Sequence, residues 1–179
     1  MAPIVPNDRD AKMTPHRKLV CVGLAAFAPC ASAYGATAAP IQDDVSLLLK
    51  MAEQARESCM VKGFATTVSI VGTDGQTIVV LRSDGAPIHT IQNSFNKAYT
   101  VMTLGPLMHA DSTSALARMY SEKPSVSHAL PMEPLPHISF SAGAVLIHLK
   151  GRLIGGLGVS GSNSGDTDEA CASEGAENH

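Results

Sequence analysis

The sequence predicts a single α+β domain in which an antiparallel sheet of about five strands is packed by helices. Three observations predict it. The chain has 179 residues, of which 45% are hydrophobic, enough for one compact core. The apolar period switches along the chain between that of a helix and that of a strand, in the order helix, two strands, two helices, two or three strands, helix. The β-rich runs come in pairs around Asp74-Gly75 and Lys150-Gly151, and a short turn between two strands makes them antiparallel neighbours.

The first helix begins near Asp44, a capping residue. Leu48, Met51, Ala52, Ala55 and Cys59 share one face, and Gly63 is the stop. The alternating run Phe64–Val71 and the run Thr77–Arg82 flank Asp74-Gly75 as the first hairpin. Asp84-Gly85-Ala86-Pro87 ends it. A second helix is predicted from about Ile88 to Leu104, with Ile91, Phe95, Ala98 and Met102 at helical spacing and Gly105-Pro106 as its end. A shorter helix covers Ser112–Tyr120. Four prolines between residues 121 and 136 mark a loop. Strands over residues 143–149 and 153–160 follow. In the last helix, predicted to run to Ser173 and to be closed by Gly175, Asp166 and Glu169 have the spacing of a capping box.

The N-terminus reads as a targeting segment. His16, Arg17 and Lys18 form a basic region, Leu19–Phe27 is apolar but too short to span a bilayer, and Ala31-Ser32-Ala33 offers small residues for cleavage. The expected organisation is an extension and signal peptide over residues 1–33, a flexible leader over 34–43, one domain over 44–175 and a tail over 176–179. The mature protein would be periplasmic or secreted after cleavage near Ala33, without a membrane anchor. Cys59 and Cys171 then remain, and they could pair in an oxidising compartment. The net charge of −3 and the lack of a basic run argue against nucleic acid, since phosphate binding needs clustered Lys and Arg.

Several stretches carry a family resemblance. Arg82-Ser83-Asp84-Gly85-Ala86 with Lys97-Ala98-Tyr99-Thr100, and above all Gly151-Arg152-Leu153-Ile154-Gly155-Gly156-Leu157-Gly158-Val159-Ser160-Gly161 continued by Ser164–Ala172, resemble the GlcG/HbpS family. Gly72 stands where that family usually has Asp, and Ala142-Gly143 where a Gly-Gly pair is common. The resemblance implies a profilin-like fold and homo-oligomeric assembly. Some members bind haem, and a related domain is attached to cobalamin adenosyltransferases of the PduO type.

That implication directs attention to the histidines, because a neutral imidazole can ligate haem iron. His109, beside Leu107 and Met108 just past the expected helix break, is the first candidate ligand, and His89, beside Ile88 and Ile91, the second. His137, or an oxygen ligand such as Thr113, stands next. His148 is expected on a solvent-facing strand position. Arg82 and Lys97 are the candidate partners for haem propionates or another small anion. The plainer roles are that Arg82 pairs with Asp84 to hold the turn and that Lys97 caps or crosses a subunit contact. The functional expectation is a haem or tetrapyrrole binder acting in storage, sensing or protection. The alternatives are a haem-degrading or organic-acid enzyme, for which no convincing acid/base set is present, and a non-catalytic oligomeric accessory protein.

Overall fold

The computed structural model describes residues 42–122 and 135–177. The expected targeting segment, most of the expected leader, residues 123–134 of the expected proline-rich loop and the last two residues lie outside them. The elements are α1 (Gln42–Val61), β1 (Thr67–Gly72), β2 (Thr77–Arg82), α2 (Thr90–Met108), α3 (Thr113–Glu122), β3 (Ala144–Leu149), β4 (Arg152–Ser160) and α4 (Gly165–Glu177).

The strands form one antiparallel sheet in the order β2-β1-β4-β3. The expected α+β architecture is present, with four strands among the described residues rather than about five. Both hairpins form where the turn dipeptides place them. Lys150 and Gly151 both adopt positive φ, as a tight hairpin turn between β3 and β4 demands.

Helices cover both faces of the sheet. On one face α1 and α4 pack Leu48, Met51, Ala52, Ala55, Cys171 and Ala172 against Val68, Ile70, Leu157 and Val159. On the other, α2 packs Ala98, Val101 and Met102 against Val71, Ala144 and Leu146. Strand β1 is therefore buried along its whole length, and its α2-facing hydroxyls pair with the helix: Thr67 with Thr90 at 2.7 Å and Ser69 with Ser94 at 2.8 Å. A β-carbon at Gly158 would collide with the carbonyl oxygen of Ser94, and one at Gly156 would lie 2.7 Å from that of Ala98. Glycine at these two positions is what lets α2 rest its backbone on β4. Cys59 of α1 and Cys171 of α4 form a disulfide.

Three local expectations are corrected. α2 does not end at Gly105-Pro106 but continues to Met108, with Pro106 inside it and His109 as its left-handed cap. Proline withdraws only one donor there, and buried Leu104 and Gly105 hold the last turn against its neighbours. The cap of α4 is Ser164, whose Oγ accepts the Thr167 amide at 3.1 Å, rather than the Asp166–Glu169 box. Gly175 does not close α4, which runs on to Glu177. It lies buried against α1, where a β-carbon would be 2.6 Å from the Ala55 methyl.

Candidate functional site

Helix α2 positions most of the residues singled out in the sequence. Lys97 lies on its sheet-facing side beside Ser94, Ala98 and Val101. Its ammonium group donates to the Asp168 carboxylate at 2.8 Å and to the Val159 carbonyl at 3.0 Å, and only 7% of the Lys97 side chain and 5% of the Asp168 side chain are exposed. Asp168 also accepts the Ser162 amide at 3.0 Å. The two stretches that carry the family resemblance, the Lys97 helix and the capped C-terminal helix, are thus joined by a buried ion pair. This places the Lys97 charge inside the domain, away from any rim where a propionate would meet solvent.

Arg82 is exposed at the end of β2. Its guanidinium donates to the Ala86 carbonyl, so it holds the turn through the backbone rather than through Asp84. His89 occupies the position before α2 and its ring caps nothing. His109 lies at the other end, with φ 53°, beside an exposed Leu107. Twenty residues separate the two histidines, and at 1.5 Å per residue that is about 30 Å of helix. One chain therefore does not bring His89 and His109 to the same iron. His148 is exposed on β3, as expected.

Thr113, the possible oxygen ligand, is fully buried and engaged. It donates to Glu169 at 3.0 Å and accepts the Ala144 amide at 3.0 Å. Glu169 also accepts from the Ser114 amide at 2.9 Å, the Ser114 hydroxyl at 2.5 Å and the Gly143 amide at 3.2 Å. A carboxylate from α4 thereby satisfies the free N-terminus of α3. Burial pushes the Glu169 carboxyl up. The hydrogen bonds from Ser114, Gly143 and Ser112 together outweigh burial and hold its pKa below the ordinary value.

Three open clefts are bordered by described residues. One of about 390 Å³ lies between α1 and the end of β2, beside Arg56, Phe64 and Asp84. One of about 470 Å³ is bordered by Asp111, His148, Glu169 and Glu177. The third, about 310 Å³, lies between the first hairpin and α2, beside Asp74, Tyr99, Met102 and Thr103. None of His89, His109 and His137 borders any of them.

Beside the third cleft, α2 carries a cluster that reading by periodicity did not assemble. Phe95 and Tyr99, one helical turn apart, stand with ring centroids 5.7 Å from each other. His137, from the segment before β3, meets both edge-on, at 5.1 Å from Phe95 and 5.9 Å from Tyr99. Its Nδ1 lies 3.3 Å from Asn96 Oδ1 and 3.5 Å from Gln92 Nε2, and Gln92 Nε2 donates to Asn96 Oδ1 at 2.7 Å. The ring is exposed while its backbone is held in the left-handed region at φ 67°. The Ser139 amide anchors the segment to the Thr100 hydroxyl at 2.7 Å. Phe95 at a core-like helical spacing and a histidine in a proline-rich segment 38 residues beyond Tyr99 give no joint signal in one sequence.

Comparison with known proteins gives one family. A family model described as haem degrading protein HbpS-like matches residues 44–177. A crystal structure of HbpS superposes with a TM-score of 0.64 at 28% identity, covering 84% of this chain and 96% of that one. A double mutant of the Streptomyces reticuli HbpS gives the same score and identity over 88% and 96%. The structure of a PduOC:haem complex, at 23% identity and a TM-score of 0.60, covers 73% of this chain and 90% of that one and shares the fold. A search of curated proteins finds no match.

Proposed function

Because this chain belongs to the HbpS-like family, we propose that it binds haem or a related tetrapyrrole and acts outside the cytoplasm in haem storage, sensing or protection. The observation that carries this reading is the family match over residues 44–177, nearly the whole of the described domain. The donor set fits such a group. Among the described residues no three His, Cys, Asp or Glu side chains form a cage for a bare metal ion. Iron held by a porphyrin asks less of the protein: one or two axial donors and apolar surface for the macrocycle. Single accessible imidazoles, one of them flanked by aromatic rings, supply that chemistry.

Export is part of the same proposal. The basic, apolar and small-residue order of residues 16–33 supports it, as does the Cys59–Cys171 bridge, since disulfides persist in oxidising compartments. Homo-oligomeric assembly is supported by large apolar side chains left on the surface, among them Val61 and Ile88 at 81% exposure and Leu107 at 75%.

Titrating the purified protein with hemin tests the reading. A saturable Soret shift at micromolar hemin is expected, and its absence would overturn the proposal. The family's description favours a second reading, haem degradation. That reading requires loss of the Soret band, iron release and a new pigment when a reductant is added to the complex.

A further inference from the structure

We propose that the cleft between the end of α1 and the end of the first hairpin binds a small zwitterion, a free α-amino acid with an apolar side chain. Arg56 and Ser83 take its carboxylate, and Asp84 takes its ammonium group. The proposal goes beyond the haem-binding reading and does not depend on it.

Buried hydroxyls elsewhere in the domain are paired: Thr67 with Thr90, Ser69 with Ser94 and Thr113 with Glu169. Among the described residues, three buried side-chain polar atoms have no hydrogen-bond partner: Arg56 Nε, Thr66 Oγ1 and Ser83 Oγ. They belong to one place in the fold. Thr67 pairs with Arg82 in the register of β1 and β2, and the Ser83 amide donates to the Thr66 carbonyl at 2.9 Å, so Thr66 and Ser83 stand opposite each other. Thr67 faces α2 through its bond to Thr90. Successive strand residues alternate between the two faces, so Thr66 and Ser83 face α1. Arg56, near the end of α1, and Ser83 both border the cleft of about 390 Å³ at that place. Thr66 is fully buried and Ser83 is 8% exposed. Unpaired polar groups this deep are uncommon in native proteins, and each calls for a partner.

The chemistry of these groups selects the partner. A guanidinium only donates and a hydroxyl can donate, so Arg56 and Ser83 together suit a carboxylate. The contact that Arg56 makes within the protein is weak, Nη1 lying 4.0 Å from Met60 Sδ. Among the described residues the ion pairs are Lys62 with Glu174 and Lys97 with Asp168, so Arg56 and Asp84 border one cleft without neutralising each other. The exposed Asp84 carboxylate repels a plain organic anion and attracts an ammonium group. One positive and one negative side chain held apart match the two charges of an amino acid. Met60 and Phe64 border the same cleft and offer apolar surface for its side chain. Beside Gly63 the space is open, since a β-carbon there would meet nothing within 4 Å. The volume falls in the range of small-molecule sites, about 300–1,000 Å³. The Ser83 hydroxyl turns toward the cleft by a change of rotamer about its one side-chain torsion.

The test titrates the full chain with L-leucine, isocaproate or isoamylamine to millimolar concentration and follows nitrogen-15 amide spectra. The last two probes are leucine without its amino group and leucine without its carboxylate. L-leucine is expected to shift the Gly63, Phe64, Ser83 and Asp84 amides saturably, and each truncated probe should bind about tenfold more weakly or less. Ser83→Ala and Arg56→Met should each weaken L-leucine binding about tenfold or more. Circular dichroism melts give a ligand-free readout. Ser83→Ala removes an unpaired hydroxyl and should leave Tm unchanged or raise it, whereas a fall in Tm would show the hydroxyl already engaged and would count against the site. Equal affinity for L-leucine and isocaproate would overturn the zwitterion assignment. Binding that survives both substitutions would overturn the assignment of Arg56 and Ser83. If no probe shifts these amides saturably, the cleft is not a ligand site and the proposal fails.

Discussion

The bridge between Cys59 and Cys171 ties α1, the first described element, to α4, the last, across a sequence separation of 112. Closing a loop of that length removes about 16 cal/mol/K from the unfolded ensemble, about 4.8 kcal/mol at 25 °C. Both cysteines are fully buried in the core between these helices, so alanine rather than serine is the replacement that avoids an unsatisfied hydroxyl. The folded state keeps its other links without the bridge: Lys62 still pairs with Glu174 at 2.7 Å, and Ser58 still donates to the same carboxylate at 2.7 Å. The loss therefore falls mainly on the unfolded state. Domains of this size are stable by about 5–15 kcal/mol, so a third or more of the stability is at stake. With a urea slope of about 2 kcal/mol/M, the midpoint should fall by about 2 M, and Tm should fall by about 15 °C. Urea and thermal unfolding would be followed by circular dichroism for the oxidised protein, the same protein with dithiothreitol, and Cys59→Ala/Cys171→Ala. A midpoint change below about 0.5 M in both comparisons, worth about 1 kcal/mol, would refute the reasoning.

Other perturbations follow from the packing around α2 and α4. Lys97→Met leaves Asp168 as an unpaired buried charge and should cost about 3–5 kcal/mol, whereas Lys97→Met/Asp168→Leu should recover most of that loss in thermal melts. Equal losses in the single and double variants would show that the uncompensated charge is not the cause. Gly158→Ala forces a methyl group against the Ser94 carbonyl and should cost about 1–3 kcal/mol or more, with faster amide exchange along α2. An unchanged urea midpoint would contradict the close approach. The lowered pKa of Glu169 means that its stabilisation is present above the ordinary Glu value of about 4.3 and is lost as the pH falls through the lower folded value. Stability profiles between about pH 6 and 2 should lose that component in Glu169→Gln, and identical profiles would exclude it.

Much of the fold was legible because it rests on local signals. Asp74-Gly75 and Lys150-Gly151 specified both hairpins, and the Leu48 to Cys59 spacing specified the buried face of α1. The errors share one physical origin. Gly105-Pro106 and Gly175 were read as punctuation, but burial against neighbouring elements keeps both inside helices. Glu169 was read as a cap on its own helix because a single sequence shows spacing within an element, not reach across the domain to α3. The candidate site was less legible for the same reason. His89 and His109 are candidates by their apolar neighbours in sequence, yet they lie at opposite ends of α2 and border none of the described clefts. The Phe95, Tyr99 and His137 cluster depends on a tertiary contact between α2 and the segment before β3.

One helix serves two tasks, and its geometry keeps them separate. With 100° between successive residues, Lys97 lies about 60° from Ser94 on one side and Ala98 about 40° on the other, which puts both on the face that meets the sheet. Asn96 and Tyr99 lie about 160° and 140° from Ser94, on the outer flank. The glycines of β4 and the Lys97–Asp168 pair therefore govern how closely α2 sits on the sheet, and the outer flank meets His137 without taking part in that contact. A substitution at Asn96 or His137 leaves the core beneath α2 intact. Substitution at Lys97 or Gly158 would disturb both, since the helix that carries Asn96 would move with its seat on the sheet.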